Sequence, residues 1–148
     1  MRKIAILMLV VSVGAAAQAG DAALRKRIVD MALGFQGVPY VYGSESPAAF
    51  DCSGLVHYVY KKAANVDIPR NSRDQHAIGL PIGVEAAQLG DVFVFNTSGS
   101  GPSHVAISLG DGTMIHAISE GPKTGVVVSK LTDRYFGPRL IAARSFLT

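Results

Sequence analysis

Cys52 is the single cysteine of the 148-residue chain, and His57, His76, His104 and His116 are its four histidines. A lone thiol has no internal disulfide partner, so Cys52 is either a small buried core side chain or one kept for its reactivity. Its surroundings, Asp51-Cys52-Ser53-Gly54, are polar or tiny, which is poor company for a core position. Residues from Ser53 to about Ala64 read as a helix with Leu55, Val56, Val59 and Tyr60 on one side, which puts Cys52 at a helix N-terminus. Free backbone N–H groups and a partial positive charge at such a place favour a thiolate and can receive an oxyanion. Thiol pKa values there fall from ~8.5 to ~3.5–7.5, further when a protonated histidine is near. The chemistry within reach is nucleophilic attack on an acyl carbon, which requires a base.

His104 and His116 supply a candidate for that base. The stretch from His104 to His116 reads as a β-hairpin whose three-residue loop, Gly110-Asp111-Gly112, places Gly112 in the left-handed position. Leu109 then faces Thr113, and stepping outward sets Ala106 opposite His116. His104 lies two residues from Ala106, so both imidazoles project from one face as diagonal neighbours, ~7–8 Å apart at the backbone. One can take the thiol proton while the other fixes its tautomer. A two-residue loop would send them to opposite faces, leaving two separately hydrogen-bonded histidines. His57, about 140° round the helix from Cys52, and His76, among Arg73, Asp74 and Gln75, read as solvated surface residues. With no His-x₃-His spacing and no second cysteine, a zinc site is disfavoured.

These residues need elements to hold them. Asp21 to Phe35 carries apolar side chains at Leu24, Ile28, Met31, Ala32 and Phe35, the spacing of a helix, with Asp21 as its N-cap. Ser72 to about Ile78 forms a short third helix capped by Asn71 or Ser72. Beyond Gly79 come β-rich runs, Asp91–Phe95, Val105–Leu109, Met114–Ile118, Val126–Val128 and Arg139–Ala143, separated by Gly, Pro, Asp and Ser. Thr97 to Gly101 reads as a flexible loop before His104. Helices first and strands afterwards predict an α+β domain with an antiparallel sheet.

The first residues are set aside from this fold. Arg2 and Lys3 precede an apolar run from Ile4 to Val13 and the small-x-small triplet Ala17-Gln18-Ala19, the pattern of a secretory signal cleaved after Ala19. The run is about half of the ~20 residues that span a bilayer, so no stable membrane insertion is expected. Residues 20–148 then form one domain, periplasmic or secreted. The chain has 14 Lys and Arg against 11 Asp and Glu, and losing Arg2 and Lys3 leaves 12 against 11. Nucleic-acid binding gets no support from that balance.

In their order and spacing, five segments resemble the NlpC/P60 family of papain-like cell-wall cysteine peptidases. They are Tyr40-Val-Tyr-Gly43, Phe50-Asp-Cys-Ser-Gly-Leu-Val56, Ile68-Pro-Arg-Asn-Ser72, Leu89-Gly-Asp-Val-Phe93, and Ser103-His-Val-Ala-Ile-Ser-Leu-Gly110 followed by Met114-Ile-His-Ala117. The resemblance implies N-terminal helices packed on an antiparallel sheet of about five to six strands. It implies Cys52 as nucleophile, His104 as base and His116 as the orienting third residue. Tyr40 matches a tyrosine whose hydroxyl lies near the oxyanion; its other role would be a packed aromatic bonded to backbone. Asp51 and Ser53 match positions lining the substrate pocket, with Asp51 also a helix cap. Arg70 either contacts substrate or pairs with an acid. Many relatives carry a glycine pair where Gly43 is here followed by Ser44, so the resemblance does not fix the local pocket shape there.

The implied reaction is hydrolysis of a peptidoglycan stem peptide at the γ-D-glutamyl–diamino acid bond through a thioester, with no metal or organic cofactor, by a monomer. Three alternatives share the residues: a lysin or toxin of the same chemistry aimed at other bacteria, an acyltransferase, and a non-catalytic wall-binding module.

Overall fold

The computed structural model describes residues 21–147; the expected signal segment, residues 1–19, lies outside them. Residues 21–34 are helical (α1). Asp21 is already inside this helix rather than capping it, and its carboxylate accepts a bond from Arg25 Nε at 3.0 Å. The apolar stripe does what its spacing requires: Ile28 and Ala32 are fully buried. A miniature hairpin follows, β1 (Glu45–Ser46) and β2 (Ala49–Phe50), which the turn-rich composition had concealed.

α2 (Cys52–Val59) begins one residue earlier than the apolar pattern suggests, because Asp51 caps it: the Asp51 carboxylate accepts the Gly54 N–H at 2.7 Å. The expected continuation to Ala64 exists but widens into a π-helical turn, Tyr60–Ala64, closed by Asn65 in the left-handed conformation. α3 (Ser72–Ile78) is capped by Asn71, whose side chain accepts the Asp74 N–H. Among the described residues no helix is long and apolar enough to cross a membrane.

Six strands build the main sheet: β3 (Leu80–Ile82), β4 (Val92–Phe95), β5 (His104–Ser108), β6 (Thr113–Ile118), β7 (Gly125–Lys130) and β8 (Leu140–Ser145). Their order is β3-β8-β4-β5-β6-β7, with every pairing antiparallel. Five match the β-rich runs within about two residues. The edge strand β3 does not, since Leu-Pro-Ile is short and its proline cannot donate to a ladder, a residue that sheets tolerate only at an edge.

The alternation of side chains along the strands separates two apolar layers. On one face Val92, Val94, Val105, Ile107, Ile115, Ala117 and Val126 pack against Ile28 of α1 and Leu55, Val56 and Val59 of α2. On the other, Phe93, Phe95, Ala106, Met114 and Ala143 form a smaller layer covered by Leu131, Phe136 and Leu140. Arg25, nearly buried, anchors α1 to the sheet through Asp91 Oδ1 at 2.9 Å and the Leu89 carbonyl at 3.0 Å.

Candidate active site

The hairpin arithmetic sets the geometry here. Ile107 pairs with Ile115 and Ser108 with Met114, and the Leu109 N–H donates to the Thr113 carbonyl at 3.0 Å. The three-residue loop is therefore present, with both Gly110 and Gly112 at positive φ (79° and 81°). Continued by one step, the register puts Ala106 opposite His116. His104 and His116 share the face that α2 does not cover, and His104 Nε2 lies 2.8 Å from His116 Nδ1. His104 is 7% exposed and His116 fully buried.

Two residues that sequence reasoning did not single out complete this cluster. Ser129 on β7 has its Oγ 2.9 Å from His116 Nε2. Phe136, from the loop between β7 and β8, lies with its ring centroid 4.9 Å from His104 and 4.6 Å from His116. Ser129 could have been found by carrying the register to the next strand. Phe136 could not, because its loop has no periodicity to place it.

Cys52 reaches the same place from the opposite face. It opens α2, and its sulfur lies against backbone N–H groups of Val105, Ser53 and Cys52 itself. Val105 directly follows His104, and Cys52 and His104 line the same cavity. The helix-terminal N–H groups are where the sequence placed them, but the balance of effects differs from expectation. Burial pushes the thiol up, Asp51 adds to this, and the N–H groups only offset part of it. Burial also holds His104 well below the usual imidazole range, with His116 adding to it, and lowers His116 to about 4 despite the nearby Asp133 carboxylate. Burial thus acts on both groups in the direction of their neutral forms.

Tyr40 is set by an extended turn: Phe50 donates its N–H to the Pro39 carbonyl at 3.1 Å, and Val41 donates to Phe50. Burial raises the Tyr40 hydroxyl above its ordinary value, and the neighbouring Cys52 adds to the shift. Tyr40, Cys52, His104, Ser129, Asp133 and Phe136 all line one cavity of about 650 Å³. Ser103 shapes its rim, accepting the Thr97 N–H at 2.8 Å and the Ser98 N–H at 3.2 Å, so the loop before His104 is tied at its base.

Asp51, Ser53 and Arg70 cluster beside Cys52 at the start of α2 and do not line that cavity. Arg70 grips Asp51 with both guanidinium nitrogens at 3.0 Å, donates to Ser53 Oγ at 3.0 Å and pairs with Glu45 at 3.0 Å. Asp51 also accepts the Gly43 N–H at 2.8 Å. Ser44, in place of a second glycine, uses its carbonyl for the Asp51 N–H at 3.0 Å and for Arg70 at 3.3 Å. His57 is half-buried with Nδ1 2.5 Å from Glu45, and His76 meets Arg144 at 2.9 Å. Neither approaches the cavity wall, but both are more engaged than solvated surface residues would be.

The NlpC/P60 family model matches residues 37–145, the span that carries this whole arrangement. The chain belongs to the NlpC/P60 family. Among its relatives, a γ-DL-glutamyl hydrolase of Bacillus subtilis is 38% identical over 121 residues, 80% of this chain and 29% of that protein. The murein DD-endopeptidase MepH of Escherichia coli is 34% identical, over 76% of this chain and 42% of that one. An NlpC/P60 family protein from Bacillus cereus superposes with a TM-score of 0.76 at 32% identity, covering 84% of this chain and 40% of its own. The chain thus spans less than half the length of these three relatives.

Proposed function

We propose that this chain is a cysteine endopeptidase of peptidoglycan stem peptides, with Cys52 as nucleophile, His104 as general base and acid, and His116 holding His104 in register. The observation that supports it most is the convergence of Cys52, at the α2 N-terminus, and His104 on one cavity of an NlpC/P60 domain, with His116 2.8 Å behind His104. His104 uses Nε2 toward His116, which leaves Nδ1 for the thiol. As the sulfur attacks the carbonyl carbon, its proton passes to Nδ1 and the oxyanion settles on the α2 N–H groups, with the Tyr40 hydroxyl as a further donor. His104 then protonates the leaving amine, giving a thioester. A water deprotonated by His104 attacks that thioester, and the proton returns to sulfur as the acid leaves.

The bond we assign is the γ-D-glutamyl–diamino acid amide; the Bacillus subtilis relative is named for hydrolysis at a γ-DL-glutamyl linkage. The relative named as a DD-endopeptidase makes the bond itself the quantity to measure. Export on residues 1–19 would bring the enzyme to that substrate. Wild-type chain and Cys52→Ala incubated with purified muropeptides and analysed by mass spectrometry test the reading. Release of a fragment beginning with the diamino acid by wild type alone is expected. Failure of both folded proteins on every muropeptide and on sacculi would overturn it in favour of acyl transfer or binding.

A further inference from the structure

Three side chains stand in a diagonal line across three strands. His104 on β5 is two residues from Ala106, which the register places opposite His116 on β6. His116 pairs with Val127 on β7, and Ser129 is two residues beyond it on the same face. The line is hydrogen-bonded along its length, His104 Nε2 to His116 Nδ1 at 2.8 Å and His116 Nε2 to Ser129 Oγ at 2.9 Å. Phe136 stacks against both rings; the His104–His116 bond is buried and the His116–Ser129 bond part-buried beside the cavity. Both bonds hold ring nitrogens at their ends, and a neutral imidazole has one proton for two nitrogens. The tautomers of the two rings are therefore locked together.

Only two wirings satisfy the chain. In one, His104 donates from Nε2 to His116 Nδ1, His116 donates from Nε2 to Ser129 Oγ, and His104 Nδ1 is a bare lone pair. In the other, every proton is reversed: Ser129 donates, His116 carries its proton on Nδ1, and His104 Nδ1–H faces the thiol with nothing to accept. Only the first can take a proton from Cys52. It also survives the reaction unchanged, since protonated His104 still donates to His116 and His116 still donates to Ser129. Among the described residues the partner of His116 Nε2 is Ser129 Oγ, while the nearby Asp133 uses Oδ1 for the N–H groups of Tyr135 at 2.8 Å and Phe136 at 2.9 Å.

We infer that Ser129 is a positioning residue, the fourth member of the site, whose oxygen accepts the His116 Nε2 proton and so holds His104 in the proton-accepting tautomer. The choice between the two wirings rests on the cysteine-peptidase reading, while the coupling of the two tautomers stands on geometry alone. Removing the hydroxyl leaves the His116 N–H without its partner. Each wiring then loses its bond to Ser129, and the His116 ring, held only through Nδ1, keeps the competent arrangement less often, with a loss of about one hydrogen bond or roughly tenfold.

The test pairs kinetics with the protonation site of the rings. In Ser129→Ala, kcat on muropeptides is expected to fall roughly tenfold with KM moved less than about twofold, and Ser129→Thr, which keeps an oxygen, to recover most of the loss. Long-range ¹H–¹⁵N spectra of wild type should show both His104 and His116 protonated on Nε2, and Ser129→Ala should lose that single pattern. Unchanged kcat with unchanged ring spectra in Ser129→Ala overturns the inference, as does a wild-type His116 protonated on Nδ1. If wild type cleaves nothing, the peptidase reading fails, and the spectra still decide whether Ser129 orients the pair.

Discussion

His104 and His116 meet at 2.8 Å although neither is the other's cross-strand partner. His116 faces Ala106, and the small methyl there leaves room for the imidazoles to lean together from diagonal positions. The contact uses His116 Nδ1, a position that the side-chain oxygen of asparagine can occupy and a methyl group cannot. His116→Asn should therefore keep more activity than His116→Ala. We expect kcat to fall about tenfold in the first and about a hundredfold in the second, with KM little changed in both, because the group orients rather than binds. Equal losses in the two variants, or a loss carried by KM, would remove His116 from an orienting role.

That pair was legible in the sequence because a hairpin of known loop length fixes which residues share a face, whatever the rest of the fold does. The same holds for α2, where Asp51 and the apolar pattern at Leu55, Val56 and Val59 agree. Proline at position 81 and a three-residue strand hid β3, since the residues follow no alternation long enough to read. The direction of the Cys52 shift was not legible for a different reason. Helix-end N–H groups are a local property visible in the sequence, whereas the desolvation that outweighs them comes from the sheet packed beneath α2 and from residues far away in the chain.

The two buried histidines give the fold an acid-side weakness. His116 titrates at about 4 in the folded chain and near 6.5 when unfolded, and His104 is lowered in the same direction by burial. Between those values the unfolded chain binds protons that the folded chain does not, so stability is complete above about pH 6.5 and falls as the pH drops toward 4. From His116 alone the loss is on the order of 3 kcal/mol. Urea midpoints measured across this window should fall steadily in wild type and much less in His116→Asn. A pH-independent wild-type midpoint would show that the rings are protonated in the folded state.

The protonation state of Cys52 has a kinetic signature. With burial raising the Cys52 thiol above its ordinary value of 9.0, the rate of alkylation by iodoacetamide should climb with pH through the alkaline range. A preformed thiolate–imidazolium pair would instead give a rate already at its plateau by about pH 6. Measuring the rate from mild acid to about pH 10, with peptide mapping to Cys52, separates the two.

Gly54 marks the tightest point of the helix start. A methyl group there would collide with the Ser44 carbonyl and come within 2.7 Å of Asp51 Oδ1 and 3.0 Å of an Arg70 nitrogen. Gly54→Ala adds the better helix former, yet it should destabilise by about 1–3 kcal/mol, the usual range for overpacking. Thermal unfolding decides between clash and propensity, and a raised Tm would mean that the Asp51–Arg70 pair yields readily.

Arg70 separates a scaffold role from a substrate contact. Its guanidinium serves Asp51 through two nitrogens, Glu45 through Nε, and the oxygens of Ser53 and Ser44. A lysine ammonium has three donors at one point and cannot span these partners. Asp51 would keep its cap on α2 but lose its bidentate clamp, so the helix start that carries Cys52 would be held less firmly. Arg70→Lys is therefore expected to lower stability by about 1–3 kcal/mol and to reduce kcat with KM within about twofold of wild type. If Arg70 instead held the substrate, the same variant would melt like wild type and show its loss in KM. Melting curves and steady-state kinetics on one preparation distinguish these outcomes, because the clamp moves the first measurement and a substrate contact moves only the second.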